Sequence, residues 1–185
     1  MSSQWEDQVP SSLREKYEIH NFNHAVEILS QAYPNEYAEV ISSLETFSLS
    51  VDNIAEGGGN ESAIPKKLSK YLHPRNWHEI KITGDLLVRL HRRNSSQIEE
   101  FTIKDFIDGH NIDYVKNRVA IDMEWNSKDQ TFDRDLYAFR TFYECNIISC
   151  GVIITRSEQL NHVFSKLGIR QKYGASTTWM GKLLP

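Results

Sequence analysis

The segment VAIDMEW, residues 119–125, constrains the fold most strongly because it combines a strand pattern with two acids. Successive side chains of a strand point to opposite faces. Four apolar side chains therefore share one face: Val119, Ile121, Met123 and Trp125. Asp122 and Glu124 share the other face, where the two like charges repel each other and partial burial removes their hydration. A divalent cation bound at this face would offset both costs.

A third acid, Asp113, precedes Asp122 by nine residues, with the segment YVKNR between them. If that segment is a tight turn, Asp113 lies beside Asp122 on the neighbouring strand, and the two converge with Glu124. Magnesium is commonly bound through one or two carboxylates together with substrate phosphate and water. A magnesium ion that bridges Asp113, Asp122 and a scissile phosphate would activate a bound water and neutralise the charge that develops on phosphorus.

The pattern D-x8-D-x-E alone leaves other interpretations open. Acids with this spacing also occur by chance on an exposed strand face, where they have no catalytic role. A pair of carboxylates could alternatively serve a glycosidase as general acid and nucleophile without any metal. The surrounding sequence favours the metal site, because the acids lie between hydrophobic residues and precede a predicted helix and a buried strand.

The segments before the acids predict helices followed by a strand hairpin. HAVEILSQAY predicts one helix, and a second helix begins at Pro34. EGGGNES, residues 56–62, is interpreted as a flexible connection. IPKKLSKYLHPR begins as a short helix that breaks at Pro74, and RRNSSQ predicts a turn between two strands.

The segments after the acids predict a crossover between two strands. DRDLYAFRTFYECN predicts a helix. Together with Phe132, which directly precedes this segment, its apolar residues recur every three or four positions: Leu136, Phe139 and Tyr143. IISCGVIIT is a nearly continuous apolar run of the kind that a central strand shows. The fold class predicted from these elements is α/β, with a mixed central β-sheet flanked by α-helices.

Charge and hydropathy indicate where this chain acts. No apolar run approaches the roughly 20 residues that span a membrane, and the N-terminus has no secretory signal, so we expect no membrane association and a cytoplasmic location. The net charge is -4, yet residues 66–93 hold 8 bases and 2 acids. This basic band could follow a phosphate backbone, or it is a solvated face with scattered lysines.

Three segments carry a resemblance to a known family: FNHAVEIL, LHPRNWHE and above all IDYVKNRVAIDMEW. The chain resembles type II restriction endonucleases of the PD-(D/E)xK class, specifically the BglII and BstYI group, from about residue 19 onward. The resemblance implies a magnesium-dependent homodimer that cuts both strands of a short palindrome in double-stranded DNA, centred on GATC. We expect one endonuclease domain over residues 1–185, either complete or without the closing C-terminal strand of the family. The alternative is a catalytically impaired DNA-binding protein of the same fold.

The resemblance also implies roles for individual acids. Asp113 resembles the first metal-binding acid and Asp122 the second, while Glu124 occupies the lysine place of the wider class. The relatives have Glu and Gln where this chain has Asp122 and Glu124. Glu124 could bind a second metal or take a proton from the attacking water. Glu79 resembles an additional catalytic acid of the group, or is an exposed glutamate at a strand end.

The resemblance further implies two segments that reach the bases of DNA. One directly follows the acid-bearing strand and the other lies near the C-terminus; their residues are Asn126, Ser127, Lys128, Ser176, Thr177 and Thr178. Asn can pair with adenine through two hydrogen bonds and Lys can donate to guanine, so the first segment suits this task. It is equally suited to be an ordinary polar turn.

Overall fold

The chain forms a mixed β-sheet with helices on both faces. This computed structural model describes residues 5–56, 62–174 and 176–184. The strands within these ranges are β1 (His78–His91), β2 (Ile98–Lys116), β3 (Val119–Glu124) and β4 (Cys150–Thr155). The α-helices are α1 (Ser11–Lys16), α2 (Ala25–Ala32), α3 (Pro34–Thr46), α4 (Val51–Glu56), α5 (Ala63–Leu72), α6 (Thr131–Glu144), α7 (Leu160–Lys166) and α8 (Met180–Leu183). Short 3-10 helices cover Glu6–Gln8, His73–Arg75 and Arg170–Tyr173.

The strand order is β1-β2-β3-β4. β1, β2 and β3 pair antiparallel, whereas β3 and β4 pair parallel across the crossover helix α6. The predicted α/β class with a mixed sheet flanked by helices is confirmed. Within the described residues β4 lies at the edge of the sheet, so its interpretation as a central strand was wrong. Its apolar character comes from the helices that pack on it rather than from a second neighbouring strand.

The two faces of β3 lie in two separate hydrophobic cores, as the alternation of its side chains predicts. One core surrounds the apolar face, with members from several helices: Leu29, Val40, Leu68, Leu72, Trp77, Val119, Ile121, Met123, Trp125 and Phe164. The smaller core packs α6 against the opposite face around Ala120, Ala138 and Phe142. Asp122 and Glu124 lie on the side of this smaller core and are buried.

The orientation of α6 differs from the one that its apolar spacing indicates. Phe132 is buried as expected, but Leu136 and Tyr143 are exposed, by 46% and 63%. The buried face instead carries Asp135 and Ala138. Small residues decide this orientation, because they allow the helix to lie close to the sheet. A Cβ atom added at Gly151 of β4 would lie only 2.6 Å from the ring of Phe139.

β1 and β2 are longer than β3 and β4, so their hairpin continues past the part of the sheet where all four strands lie side by side. The pairing continues from Leu86↔Ile103 to His91↔Ile98 and ends at the predicted turn of RRNSSQ. Within the described residues, no helix is long and apolar enough to cross a membrane. Of the predicted EGGGNES connection, residues 57–61 lie outside the described residues.

Candidate active site

A β-bulge in β2 brings Asp113 to the acid-bearing strand. The register changes between His78↔Val115 and Ile80↔Ile112, so two residues of β2 lie opposite the single residue Glu79 of β1. As a result, Ile112 and Val115 both pack toward the core under α6 although they are three positions apart. Bulges of this kind re-aim side chains next to active sites. This bulge places Asp113 at the junction of β1, β2 and β3.

A two-residue turn joins β2 to β3, as the segment YVKNR predicts. Lys116 pairs with Val119, and the residues between them, Asn117 and Arg118, have φ angles of 48° and 92°. Positive φ at both positions is the geometry of the tightest hairpin turns. The amide of Asn117 donates to Oε1 of Glu36 over 2.6 Å, which ties the turn to α3. The bulge in β2 and the turn after it together fix the register that sets Asp113 beside Asp122.

Two backbone-to-carboxylate hydrogen bonds connect Asp113 with the strand that carries Asp122. The backbone N–H of Asp113 donates to Oδ1 of Asp122 over 2.8 Å. The backbone N–H of Met123 donates to Oδ2 of Asp113 over 3.3 Å. Oδ2 of Asp122 is buried and has no hydrogen-bond partner among the described residues. A buried carboxylate oxygen without a partner is costly unless a proton or a cation binds it.

The electrostatics of the cleft favour a bound cation. Burial raises the pKa of Asp122 to about 8, and the negative charges of Asp113 and Asp135 add to this rise, although the N–H of Asp113 opposes it. Loss of hydration within the cleft also raises the pKa of Asp113, although this residue keeps exposed surface, and the charges of Asp135 and Glu79 contribute in the same direction. Both carboxyls therefore take up a proton more readily than usual. A divalent ion would replace these protons and stabilise the charged forms.

Glu124 has its own set of partners on α6. Its Oε2 accepts a hydrogen bond from Oγ1 of Thr131 over 3.2 Å, and its Oε1 lies 3.4 Å from Nη2 of Arg134. Burial raises the pKa of Glu124 to about 7. Asp135, a neighbour that the sequence interpretation missed, is buried and accepts two bonds from Arg134 through Oδ1. In the sequence, the feature that could have indicated a site role for Asp135 is its position in the first turns of α6, which follows the acid-bearing strand.

The acids form a two-carboxylate site. The described residues contain no group of three or more His, Cys, Asp or Glu side chains arranged to hold a metal ion. The expected convergence of three carboxylates is therefore limited to Asp113 and Asp122, since Glu124 is drawn toward α6. The pair still fits magnesium, because the unpartnered Oδ2 of Asp122 is a hard oxygen ligand and magnesium keeps positions for phosphate and water.

An open cleft of about 340 Å³ lies over these acids. Its lining consists of Glu79, Gly109, His110, Asn111, Asp113, Asp122, Arg134 and Ala138. The structure thus places the predicted acid Glu79 in the same cleft as the two aspartates. Oε1 of Glu79 accepts a hydrogen bond from the amide of Asn111 over 2.6 Å. This contact orients the glutamate across the β1–β2 pair.

The two segments predicted to reach DNA bases lie side by side. Lys128 and Thr177 form an antiparallel bridge. The N–H of Asp129 donates to the carbonyl of Ser176 over 2.9 Å, and the N–H of Thr178 donates to that of Ser127 over 2.8 Å. Two segments about 50 positions apart in the sequence therefore form one structural unit near the C-terminal ends of β3 and β4.

Members of this unit differ in exposure. Lys128 and Ser176 are exposed, whereas Thr178 is completely buried. The carbonyl of Thr178 accepts a 2.7 Å hydrogen bond from Nε of the buried Arg156. The amide of Asn126 donates to the carbonyl of Lys172 over 3.1 Å. In this conformation Thr178 supports the unit from inside and does not reach its surface.

Three bases of the basic band have partners within the protein. Arg89 forms an ion pair with Glu100, and Arg92 pairs with Glu99, both along the hairpin. Lys67 donates to the carbonyl of Ser48 over 2.7 Å. Of the two interpretations of this band, these contacts favour a solvated face over a continuous track for phosphate.

The chain was compared with known protein families and with curated proteins. A family model described as restriction endonuclease BglII/BglIII matches residues 17–185. The comparison with curated proteins found no match.

Proposed function

The chain belongs to the restriction endonuclease BglII/BglIII family, and from this premise we propose that its acidic cleft cuts DNA with Mg²⁺ held by Asp113 and Asp122. Membership makes the chain a type II site-specific deoxyribonuclease, in a family that generally uses a divalent metal. It also excludes the glycosidase interpretation of the carboxylates. The observation that supports our assignment best is the buried, unpartnered Oδ2 of Asp122 beside Asp113.

We assign the metal to Asp113 and Asp122 because one oxygen of each carboxylate accepts a backbone N–H while the other carboxylate oxygen is left to bind a cation. A bound magnesium ion would supply an activated water and positive charge beside the scissile phosphate. The two backbone N–H groups of Asp113 and Met123 hold the carboxylates in place, so the ligands are positioned before the ion arrives.

Glu124 and Glu79 have supporting roles in this proposal. Glu124 receives the proton of the attacking water at a carboxylate oxygen, and its pKa of about 7 suits a base that operates near neutral pH. Glu79 is an additional acid that lines the cleft from β1, across the strand pair from Asp113, and its charge helps to retain the cation. Its contact with Asn111 supports this position.

We propose that the paired segments at the ends of β3 and β4 read the DNA sequence. The exposed Lys128 suits donation to guanine, and Asn126 suits adenine. Ser127, Ser176 and Thr177 are joined to them by the bridge between the segments. Thr178 contributes through its bond to Ser127 from within the fold. A target centred on GATC is part of this proposal.

We further propose that the enzyme acts as a homodimer in the cytoplasm. One cleft holds one set of acids, so cutting both strands of a palindrome requires two clefts related by a two-fold axis. The symmetry of such a dimer matches the symmetry of the DNA site.

The alternative function is DNA binding without cleavage. It is favoured by the finding that the described residues provide no group of three metal-binding side chains. A weakly bound metal at Asp113 and Asp122 would leave recognition intact and abolish hydrolysis.

Incubation of plasmid DNA with the protein distinguishes the two functions. Parallel reactions contain Mg²⁺, EDTA, or Mg²⁺ with the variant Asp122→Ala. Discrete fragments in Mg²⁺ alone support the nuclease, and sequencing their ends gives the target and the cut phosphate. A gel shift that weakens with salt, without fragments in any reaction, supports the binding protein.

A further inference from the structure

We propose that Arg134 is a further catalytic residue, whose guanidinium binds the scissile phosphate in the acidic cleft. The inference rests on the proposed function. It assigns to Arg134 the positive charge that the protein itself, in addition to the metal ion, presents to the phosphate. Neither the sequence pattern nor the family motif includes Arg134, because it lies on α6 rather than on the acid-bearing strand.

The position of Arg134 is set by the buried acid that follows it. Nε and Nη2 of Arg134 donate to Oδ1 of Asp135 over 3.0 and 2.8 Å. The side chain of Asp135 is only 2% exposed, whereas that of Arg134 is 59% exposed. One edge of the guanidinium is therefore held by the protein while the other side reaches the cleft. Arg134 lines this cleft together with Asp113 and Asp122.

The cleft requires such a group because its other charged walls repel DNA. Glu79, Asp113 and Asp122 are acids, and Glu124 beside them has no N–H to donate to phosphate. A phosphate entering the cleft needs positive charge beyond that of one metal ion. The side chain of Lys81 passes over Gly109 of the cleft, but Lys81 is exposed and, among the described residues, no buried acid holds it.

The chemistry of arginine suits this task. A guanidinium offers five N–H donors in a planar fork that matches phosphate oxygens, and it stays charged at every working pH. In the part of the chain that the structure describes, the hydrogen bonds of Arg134 use Nε and Nη2. The Nη2 contact with Glu124 is 3.4 Å long and is weak enough to be exchanged for a phosphate oxygen. The Nη1 group remains for a second oxygen.

The test compares Arg134→Ala with Arg140→Ala on the same helix. Arg140 is 74% exposed and pairs with Glu144, so it is a matched control outside the cleft. Single-turnover cleavage of a duplex carrying the mapped target should slow about 100- to 1,000-fold in Arg134→Ala, as for loss of one charge-stabilising donor. Arg140→Ala should cut at the rate of the unmodified protein.

A second readout reports the phosphate contact without cleavage. The affinity for the same duplex is measured in Ca²⁺ at several salt concentrations. The slope of log affinity against log salt should fall by about 0.9 for one lost phosphate contact in Arg134→Ala, and should not change in Arg140→Ala. A loss of rate with an unchanged slope would assign Arg134 a merely structural role and overturn the proposal.

Loss of Arg134 removes two donors from buried Asp135, so folding is checked by thermal melting. Arg134→Gln provides the second variant, because its amide can still donate to Asp135 but carries no charge. It should show the same loss of rate and slope. Wild-type cutting rates in both variants would overturn the proposal and leave the nuclease assignment intact. An unmodified protein that leaves DNA uncut in Mg²⁺ would instead overturn the proposed function, and this inference with it.

Discussion

Oδ1 of Asp122 accepts a 2.8 Å hydrogen bond from the backbone N–H of Asp113, so the first acid of the cleft positions the second through its main chain. Oδ2 of Asp113 accepts from the N–H of Met123, and the buried Oδ2 of Asp122 has no hydrogen-bond partner among the described residues. The distance depends on the bulge opposite Glu79 and on the two-residue turn at Asn117. Both features lie in the backbone rather than in the acidic motif.

Replacement of either metal-binding aspartate should abolish cleavage. We expect Asp113→Ala and Asp122→Ala to leave plasmid DNA uncut in Mg²⁺ while binding the mapped duplex in Ca²⁺ nearly as well as the unmodified protein. The reason is that these carboxylates hold the ion rather than the bases. Asp52→Ala, an exposed acid on α4, is the control and should cut normally. Cutting by either cleft variant contradicts the metal assignment.

The metal-free protein should lose stability as pH rises. The pKa of Asp122 is raised from its ordinary 3.8 to about 8, so between these values the folded chain holds a proton that the unfolded chain has released. The stabilisation is complete below pH 3.8 and disappears as pH rises through 8. One pKa unit corresponds to about 1.4 kcal/mol, so the free energy of unfolding should fall by a few kcal/mol.

Urea denaturation in EDTA at pH 5, 7 and 9 measures this fall. Asp122→Asn cannot titrate and should show a flatter dependence. Addition of Mg²⁺ at pH 9 should restore stability to the unmodified protein and not to the variant, since the ion binds the charged carboxylate. Identical pH dependence in both proteins would contradict the shifted pKa of Asp122.

Lys128 should contribute to discrimination between sequences. Lys128→Ala is expected to weaken binding to the mapped target by about 1–3 kcal/mol and to relax specificity at one base pair, because a base contact is lost. Competition binding against duplexes with single substitutions measures both effects. Lys166→Ala, an exposed lysine on α7, is the control. A uniform loss across all duplexes would assign Lys128 to the DNA backbone instead.

Gly151 should not tolerate a methyl group. An added Cβ would lie 2.6 Å from the ring of Phe139, so α6 would have to shift from β4. Such overpacking costs about 1–3 kcal/mol. Gly174→Ala is the control, since the φ of Gly174 is -63° and no atom of the described residues lies within 4 Å of an added Cβ. Equal midpoints of the two variants in urea would show that α6 adapts without cost.

Arg156 should be essential to the fold near the predicted DNA-reading segments. Its buried guanidinium donates to the carbonyl of Thr178 and lies 5.5 Å from the ring centre of Phe164. Arg156→Ala should reduce the free energy of unfolding by about 3 kcal/mol, because a buried carbonyl loses its donor and a large side chain leaves the interior. Exposed Arg170→Ala should change it by less than about 0.5 kcal/mol. A small loss at Arg156 would mean that water replaces its donors.

The pattern of β3 was predictable because it is a local property of the chain. The alternation of Val119, Ile121 and Met123 against Asp122 requires only the strand geometry, and both faces pack as expected. The tight turn at YVKNR and the crossover through α6 follow from equally local signals. The same signals predict that Asp113 and Asp122 are neighbours, and the hydrogen bond between them agrees with this.

The rotation of α6 and the residues that it buries depend on tertiary packing against the sheet. The exposure of Leu136 and the burial of Asp135 follow from the rotation of α6, which the close contact between Phe139 and Gly151 decides. The position of Arg134 in the cleft is a consequence of that rotation. Apolar spacing alone would predict that the helix face with Leu136 is buried and the face with Asp135 is exposed, which is the reverse of the structure.

The sequence by itself determined the acidic strand and its turn, since these depend on neighbours within a few positions. The class of chemistry came from the family match over residues 17–185 and not from the spacing of the acids. Only the tertiary structure decided how many carboxylates meet. Glu124 shares a strand face with Asp122, yet the hydroxyl of Thr131 and the guanidinium of Arg134 hold it toward α6. Contacts between distant segments compete for each charged group, and the balance of burial and charge that settles this competition exists only once the chain is folded.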